Sequence, residues 1–499
     1  MRRRLTIGVL ALALIVSWLW FWAALDARRT NARGDASSPG STDTVTVWVS
    51  EMLGSPDESY YYQLADLWNS IEPGVHLKMS VLGHAGYDSK LRVAIASGQP
   101  PDVCFGGIQT LESLQYSGKS SDLAVPIPPE YFSPQRLSAM GTIVQHSVLH
   151  DGRPTIFPIW RYAYGGIILA NNEMLRQAGY NDAEIRKNGW TIEQFRDAAK
   201  RMTHATGGDG KPGTWGFGAA LVNLQHLFLN EFGPGIWGRE IAQNELLGYD
   251  PALKRWTIHQ ALTEEQIEQA FLLFHQLINV DHSWNPAYLG MSFPEIIDEL
   301  TIHRRLGMTF GETPLVPKLR REIWESNRAL GAHQPEPPEL TAIWMPTART
   351  GDRPAPRAGV MGFSVLKQIP YKGDAHTERA MRVALFLTHP VHLARSQVRE
   401  FRHLPPDSNE FGEIYPELMH RDDPWVQFYN QVMDSNVPIA PGGVPVGDAN
   451  QLAALRAKVD QWMAKQGMEY LQEVIYQKLT PHEGAVRFFR DLKALDDGR

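Results

Sequence analysis

The fold is decided by residues 45–105, VTVWVSEMLGSPDESYYYQLADLWNSIEPGVHLKMSVLGHAGYDSKLRVAIASGQPPDVCF. Val45–Val49 and Val103–Phe105 are short apolar runs typical of buried strands, and residues 75–81 alternate as a strand does. Between these strands, apolar residues recur at helical spacing. The order strand–helix–strand–helix–strand predicts a parallel α/β layer with crossover helices.

The first of these helices has an apolar face at i, i+3, i+4 and i+7, formed by Leu64, Leu67, Trp68 and Ile71. The same alternation of strands and helices continues to the C-terminus, with strands predicted at Ile167–Ala170 and Leu340–Met345. Later helices are marked by capping boxes, in which a threonine precedes Gln or Glu by three residues. These boxes are Thr191/Gln194, Thr263/Gln266 and Thr480/Glu483.

The composition of the 499 residues is that of a globular protein, 43% hydrophobic and 21% charged. With 48 basic and 55 acidic residues the net charge is -7, so no basic field exists to hold nucleic acid. The single cysteine, Cys104, excludes an internal disulfide, a cysteine zinc site and an iron–sulfur cluster. No metal-binding or nucleophile motif occurs, so we expect no cofactor, no metal and no catalytic residue.

The N-terminus carries one segment that is long and apolar enough to span a bilayer. Arg2–Arg4 precede 21 uncharged residues, Leu5–Leu25. The arginines place the N-terminus in the cytoplasm, and everything after about residue 28 outside it. Residues 1–27 are therefore predicted to be a signal anchor or a cleaved signal peptide, with the anchor favoured by its length. Residues 28–42 have no apolar period and are predicted to be a flexible tether.

Several segments, in the same order, resemble the extracellular solute-binding proteins of ABC importers, specifically the sugar-binding group that includes maltose-binding protein. The most specific match is Tyr87–Leu91 followed by Ala96–Val103, similar to the family's "Y-x-x-K-L…A-S-G-x-P-P-D-V". Others are Ala170–Gly179, similar to "Y-N-K-D-L-F-x-x-A-G", and Leu479–Ala485, similar to "L-T-P-E-E-A". The resemblance extends from Val45 to Leu492.

The resemblance implies an α/β, two-lobed periplasmic-binding-protein (type II) fold with a hinge and an interlobe cleft. Lobe I is expected at residues 43–157 plus 342–388, and lobe II at 158–341 plus 389–499. The function it implies is capture of a sugar or oligosaccharide in the cleft, and delivery of the sugar to a membrane permease. Asp102 matches the family's Pro-Pro-Asp and is expected to be structural. Residues 219–260 and 333–357 match no family motif, so the identity of the ligand stays open.

A sugar-binding site needs aromatic rings for the apolar sugar faces and polar side chains for the hydroxyl groups. Such side chains are expected just after strands or at the hinge. Trp48, Ser50 and Glu51 follow the first strand, and Glu312 follows the strand Leu306–Phe310. Four further candidates lie at the expected first hinge crossing: Trp160, Arg161, Tyr162 and Tyr164. The last two are Trp237, in a loop predicted to be exposed, and Trp344, at the end of a strand.

The predicted partners are a carbohydrate ligand, or alternatively a polyol or glycerol phosphate, and the permease subunits of an ABC transporter. The chain is expected to be monomeric and not an enzyme. One alternative is a secreted carbohydrate-active enzyme, which requires two carboxylates about 5–10 Å apart across the cleft, and Glu51 with Glu312 is the candidate pair. The other is a membrane-anchored ligand sensor on the same fold.

Overall fold

Two β-sheets, joined by a two-stranded ribbon, organise the chain in this computed structural model. It describes residues 43–51, 59–106, 123–132, 149–150, 153–164, 166–205, 212–220, 224–238, 241, 246–311, 321, 324–325, 328–329, 336–349, 351–354, 357–389, 392, 427–428, 431–432, 437–438 and 449–496. The predicted anchor and tether lie outside these residues, as does Glu312. Within them, no helix has both the length and the apolar character required to cross a membrane.

The strands are β1 (Asp43–Glu51), β2 (Val75–Gly83), β3 (Val103–Gly106), β4 (Leu149–His150), β5 (Arg153–Pro154), β6 (Phe157–Tyr164), β7 (Ile167–Asn171), β8 (His204–Ala205), β9 (Pro212–Phe217), β10 (Leu247–Asp250), β11 (Arg255–Ile258), β12 (Leu306–Gly311), β13 (Leu340–Trp344), β14 (Arg357–Val365) and β15 (Val437–Pro438).

The described α-helices are Tyr60–Ile71, His84–Ala96, Asn172–Gln177, Asp182–Asn188, Ile192–Met202, Leu224–His226, Gly233–Trp237, Glu264–His275, Phe293–Thr301, Asp374–Leu387, Ala449–Trp462, Met468–Ile475 and Pro481–Ala494. Wider π-helical turns occupy Leu227–Phe232, Gln276–Val280 and Met463–Gly467, and a 3-10 turn occupies Pro286–Gly290.

The first sheet has the order β15-β14-β3-β1-β2, with β6 on the other side of β14 from β3. β1 runs parallel to both β2 and β3, which confirms the parallel layout predicted from residues 45–105. The second sheet has the order β13-β7-β12-β9-β8. In it β12 is parallel to β9, whereas β7 is antiparallel to both β12 and β13.

The chain passes from the first sheet to the second after β6 and leaves the second sheet after β13. β6 belongs to the first sheet and β7 to the second, so the first crossing lies between Tyr164 and Ile167. β13 belongs to the second sheet, so the second crossing follows Trp344. β15 pairs with β14 of the first sheet. The lobe boundaries expected at 157/158 and 341/342 stay predictions.

Apolar helix faces and capping boxes explain most of the packing around the sheets. All three predicted capping boxes are formed, at Thr191, Thr263 and Thr480. Trp68, which lies on the predicted apolar face of the first helix, and Trp190 are each 1% exposed. The face predicted for the first helix is partly wrong, because two of its four residues, Leu67 and Ile71, lie 41% and 38% exposed. Tyr60, Tyr61 and Ala65 complete the buried face beside Leu64 and Trp68.

Candidate functional site

The ribbon that joins the sheets carries four of the predicted site residues. β6 pairs antiparallel with β14, starting where Phe157 lies opposite Phe363. β3 ends at Gly106, which is level with Gly362 and Pro158. From Pro158 to Tyr164, β6 therefore extends about 20 Å past the end of β3, at about 3.3 Å per residue. Trp160, Arg161, Tyr162 and Tyr164 all lie on this extension.

The carboxyl edge of the first sheet lies at the start of this extension. Trp48 of β1 pairs with Cys104 of β3, which puts Ser50 level with Gly106 and Glu51 one residue beyond it. Trp48 is half-buried and packs against the core, and its carbonyl accepts a hydrogen bond from the hydroxyl of Tyr87 at 3.2 Å. Ser50 is only 3% exposed.

The carboxyl edge of the second sheet lies at the other end of the same ribbon. Ile167, the first residue of β7, pairs on one side with Gly311 and on the other with Trp344, which end β12 and β13. The amide of Met345 donates to the carbonyl of Gly166 at 3.0 Å, so the two crossings are bonded to each other. Open α/β sheets bind ligands at the carboxyl ends of their strands. The structure therefore brings both such edges to one connecting element.

Two predicted ligand-stacking rings lie in the packed interior. Trp237 ends a helix instead of lying in an exposed loop, and it is 5% exposed. Its indole Nε1 donates to the carbonyl of Gln266 at 3.1 Å. The Gly-Pro-Gly sequence before it permits a close approach, because a Cβ on Gly235 would lie 2.4 Å from the carbonyl oxygen of Pro346. The expectation of an exposed loop was therefore wrong.

Trp344 is buried as well, although its backbone is at the expected edge. Its ring is 2% exposed, and its Nε1 donates to the carbonyl of Arg186 at 2.8 Å. The ring also packs edge-on against Phe428, with centroids 5.1 Å apart. Its carbonyl accepts from the indole of Trp190 at 2.7 Å. These contacts assign the ring to the core rather than to a surface on which a sugar would stack.

A histidine that the sequence analysis did not select lies near this edge. The His226 ring packs against Phe310, the residue before Gly311, with centroids 5.6 Å apart. Its Nε2 lies 2.9 Å from Oε1 of Glu231, whose side chain is fully buried, whereas the His226 side chain is 18% exposed. The π-helical turn Leu227–Phe232 widens the helix, so residues five apart face each other. Regular helical spacing does not predict this pair.

A charged cluster lies at the opposite, amino-terminal edge of the first sheet. Asp102, 1% exposed, accepts hydrogen bonds from Lys372 and His376, and His376 also contacts Asp43 at the start of β1. Burial would raise the pKa of Asp102, but the hydrogen bonds from His376, Lys372 and Thr46 outweigh it and hold the pKa far below its ordinary value. The cluster joins three elements and is remote from the ribbon end, which agrees with the structural role expected for Asp102.

No metal site emerges from the part of the chain that the structure describes: no three His, Cys, Asp or Glu side chains there are placed to hold an ion. The strand pairing brings three backbone segments towards the passages between the sheets: the edge residues Trp48 to Glu51, the ribbon residues 160–164, and the edge next to Gly311, beside which the His226 ring packs.

Comparison with known proteins gives the same architecture. Residues 54–285 match the family described as bacterial extracellular solute-binding protein. The maltose/maltodextrin-binding domain from Bdellovibrio bacteriovorus, bound to maltotriose, is 15% identical with a TM-score of 0.63, covering 91% of this chain and 99% of that one. A solute-binding protein of an ABC transporter from Thermotoga lettingae, bound to alpha-D-tagatose, has the same TM-score and coverage at 14% identity.

A receptor of Streptomyces glaucescens, solved without ligand and with acarbose, is 14% identical with a TM-score of 0.62, covering 92% of this chain and 99% of that one. At these identities the structures establish the fold, which is the two-lobed type II periplasmic-binding fold. The family places its members outside the cytoplasm. The chain thus resembles the bacterial extracellular solute-binding proteins in sequence over residues 54–285, and it shares the fold of solved solute-binding proteins over nine tenths of its length.

Proposed function

We propose that the chain is the solute-binding component of an ABC transporter and captures a sugar or oligosaccharide between its two sheets. One observation carries the proposal: the carboxyl edges of both sheets end on the ribbon β6–β14, and this ribbon holds Trp160, Arg161, Tyr162 and Tyr164. Three aromatic residues and one arginine at a hinge provide both the rings and the hydrogen-bond donors that a saccharide requires. Structural neighbours bound to maltotriose and to tagatose support this ligand class.

The proposed binding residues follow from these positions. Trp48, Ser50 and Glu51 contribute from the first edge, and Glu312 follows Gly311 at the second. His226 is added because its partly exposed ring lies beside Phe310 at that same edge. We expect ligand binding to favour a closed arrangement of the two sheets by bending at residues 165–166 and after Trp344. The closed form then delivers the ligand to the permease.

The test is a thermal-shift and calorimetric screen of the full-length protein against maltotriose, monosaccharides, polyols and glycerol 3-phosphate. A ligand at 100 times its dissociation constant stabilises the folded protein by about 2.7 kcal/mol, which raises the melting temperature measurably. Tyr162→Ala is expected to weaken binding at least tenfold. Tyr476→Ala is the matched control, because Tyr476 is 54% exposed and ends the helix Met468–Ile475 in the other part of the fold. Absence of any stabilising ligand in the panel contradicts the proposal.

We further propose that Leu5–Leu25 anchors the protein in the membrane, on the basis of the uncharged run after Arg2–Arg4. Extraction of membranes with alkaline carbonate is expected to leave the full chain in the pellet and to release a variant lacking residues 5–25. The same segment favours the ligand-sensor alternative over the enzyme alternative. Release of a free sugar from a bound oligosaccharide, abolished by Glu312→Gln, would instead support the enzyme.

A further inference from the structure

A second pocket lies away from the ribbon, between the β10–β11 hairpin and the end of the helix Pro481–Ala494. Its volume is about 480 Å³, within the range that small-molecule sites occupy. β10 and β11 form a separate two-stranded sheet, and no lining residue belongs to either large sheet or to the ribbon. The pocket is therefore independent of the proposed saccharide site.

Both acidic side chains of the pocket are engaged by the protein itself. Asp496 accepts from the amide of Ile258, at 2.9 and 3.0 Å from its two oxygens. One oxygen of Asp250 accepts from the amides of Ala252 and Leu253 at 2.8 and 3.0 Å, and the other accepts from the Gln260 side chain. These bonds fix the hairpin to the helix end and leave the carboxylates with little capacity to bind a cation.

Three basic side chains line the same pocket with donors to spare. Arg255 donates one Nη1 hydrogen to the carbonyl of Asp496 at 3.2 Å, and Arg490 uses its Nε for Asp491 at 2.7 Å. A guanidinium carries five N–H donors, so each arginine retains several. Lys493 is half-buried, and its ammonium donates a long hydrogen bond, 3.5 Å, to the carbonyl of His259.

Lys493 is the least satisfied of the three. No carboxylate of the described residues lies within ion-pair distance of its ammonium, although the nearby Asp496 favours its charged form. The Phe489 ring lies 5.3 Å from the ammonium. Burial lowers the pKa of Lys493, so its charged form is held at a cost that an anion would remove. Basic residues in the last turn of a helix also offset the helix dipole. Lys493 lies in the last turn of its helix, but that role is equally served by an exposed ammonium and requires no half-buried one inside a pocket.

We propose that this pocket is a second binding site that takes the phosphate or carboxylate group of a small solute, with Lys493 at its centre and Arg255 and Arg490 beside it. Charge-assisted hydrogen bonds from lysine and arginine to an oxyanion are the strongest that such side chains form. The remaining volume accommodates the body of a small metabolite. Occupancy of this site is independent of saccharide binding at the ribbon.

The experiment uses the full-length protein in phosphate-free buffer, titrated calorimetrically with inorganic phosphate, glucose 6-phosphate and citrate. Binding of at least one probe is expected, weaker at higher salt. Lys493→Gln is expected to weaken that binding at least tenfold, and Arg490→Gln, at an exposed position, at least threefold. Lys478→Gln is the control, because Lys478 is an exposed lysine of the same part of the chain. It should leave binding unchanged.

Melting temperatures of all variants show whether any loss reflects unfolding, and Arg490→Gln decides the question if Lys493→Gln does not fold. Saturation with phosphate should leave the affinity for saccharide within twofold, which separates this site from the ribbon. The proposal is overturned if none of the three probes binds at millimolar concentration. Equal binding by Lys493→Gln, Arg490→Gln and Lys478→Gln overturns it as well.

Discussion

Replacing Asp102 by asparagine removes one negative charge from the interior and keeps the size of the side chain. Oδ1 of Asp102 accepts from Nζ of Lys372 at 2.7 Å and from Nε2 of His376 at 2.9 Å. Oδ2 accepts from the amide and the hydroxyl of Thr46, both at 2.8 Å. Asp102 and His376 are 1% and 3% exposed, so water cannot replace the lost bonds.

The expected loss in the free energy of unfolding is about 3 kcal/mol. Breaking a buried ion pair by removing one partner costs about 3–5 kcal/mol. We take the lower end because the Lys372 side chain is 44% exposed and its contribution is screened by solvent. At about 2–4 °C per kcal/mol for a unit of this size, the melting temperature should fall by about 6–12 °C.

The loss should depend on pH. The hydrogen bond with Asp102 raises the pKa of His376, with a further contribution from Asp43, although burial alone would lower it. The protonated His376 therefore stabilises the folded protein fully below about pH 6.5, and this contribution is lost as pH rises through the raised pKa. The pKa of Asp102 is lowered, so its stabilisation is present above about pH 3.8 and is lost as pH falls below that value. Both contributions coincide between these limits, where Asp102→Asn should cost most.

Thermal melts followed by circular dichroism at pH 5 and pH 9 test this, with Glu325→Gln as the control. Glu325 forms a surface pair with Arg321, at 59% and 49% side-chain exposure, and such pairs contribute about 0–1 kcal/mol. Asp102→Asn should lower the melting temperature several-fold more than the control at pH 5, and the difference should shrink at pH 9. A penalty that equals the control, or that grows with pH, refutes this account of the cluster.

Three further substitutions probe the ribbon and its surroundings. Gly362→Ala places a Cβ 2.0 Å from the carbonyl oxygen of Phe157 and should cost about 3 kcal/mol, whereas Gly74→Ala, with open space around it, should change the melting temperature by about a degree or less. Because its ring is packed in the core, Trp237→Ala should lower the free energy of unfolding by about 3–5 kcal/mol. Calorimetry on the folded variant should show a saccharide affinity within about threefold of that of the unchanged protein. Glu231→Gln should lower both stability, by about 1–3 kcal/mol, and saccharide affinity, because it replaces the buried carboxylate that lies 2.9 Å from Nε2 of His226; an unchanged melting temperature would contradict the pairing.

Local signals in the sequence were sufficient for most of the elements. The strand Val45–Val49, the alternation at residues 75–81 and the three capping boxes depend on neighbours within four residues, and all are confirmed. The parallel layout followed because helices separate consecutive strands of the first sheet. The sheet to which β6 and β13 belong does not follow from local signals, since each pairs with a strand more than 100 residues away in the sequence.

The burial of the candidate site residues was harder to predict from the sequence, because it depends on packing. Edge positions such as Ser50 and the ribbon residues follow from where strands end, which the sequence indicates. Whether an aromatic ring is exposed to solvent does not follow from the local sequence. The indoles of Trp237 and Trp344 donate to the carbonyls of Gln266 and Arg186, and no pattern near either tryptophan indicates these partners. The His226–Glu231 pair depends on a π-helical turn, which changes the period that helix prediction assumes.

The position of the ribbon connects ligand contact with hinge motion. Residues 160–164 carry the proposed ligand contacts, and the chain bends directly after them at Gly166, whose φ of +87° requires glycine. The second crossing is bonded to the first through Met345 and contains Gly351, at φ +89°. Within the described residues, the sheets on either side are fixed by buried cores and, at the far edge of the first, by the Asp102 cluster. A ligand that bridges the ribbon and the edge at Gly311, as proposed above, acts across the two crossings, and its binding energy can be used to close them without deforming either sheet.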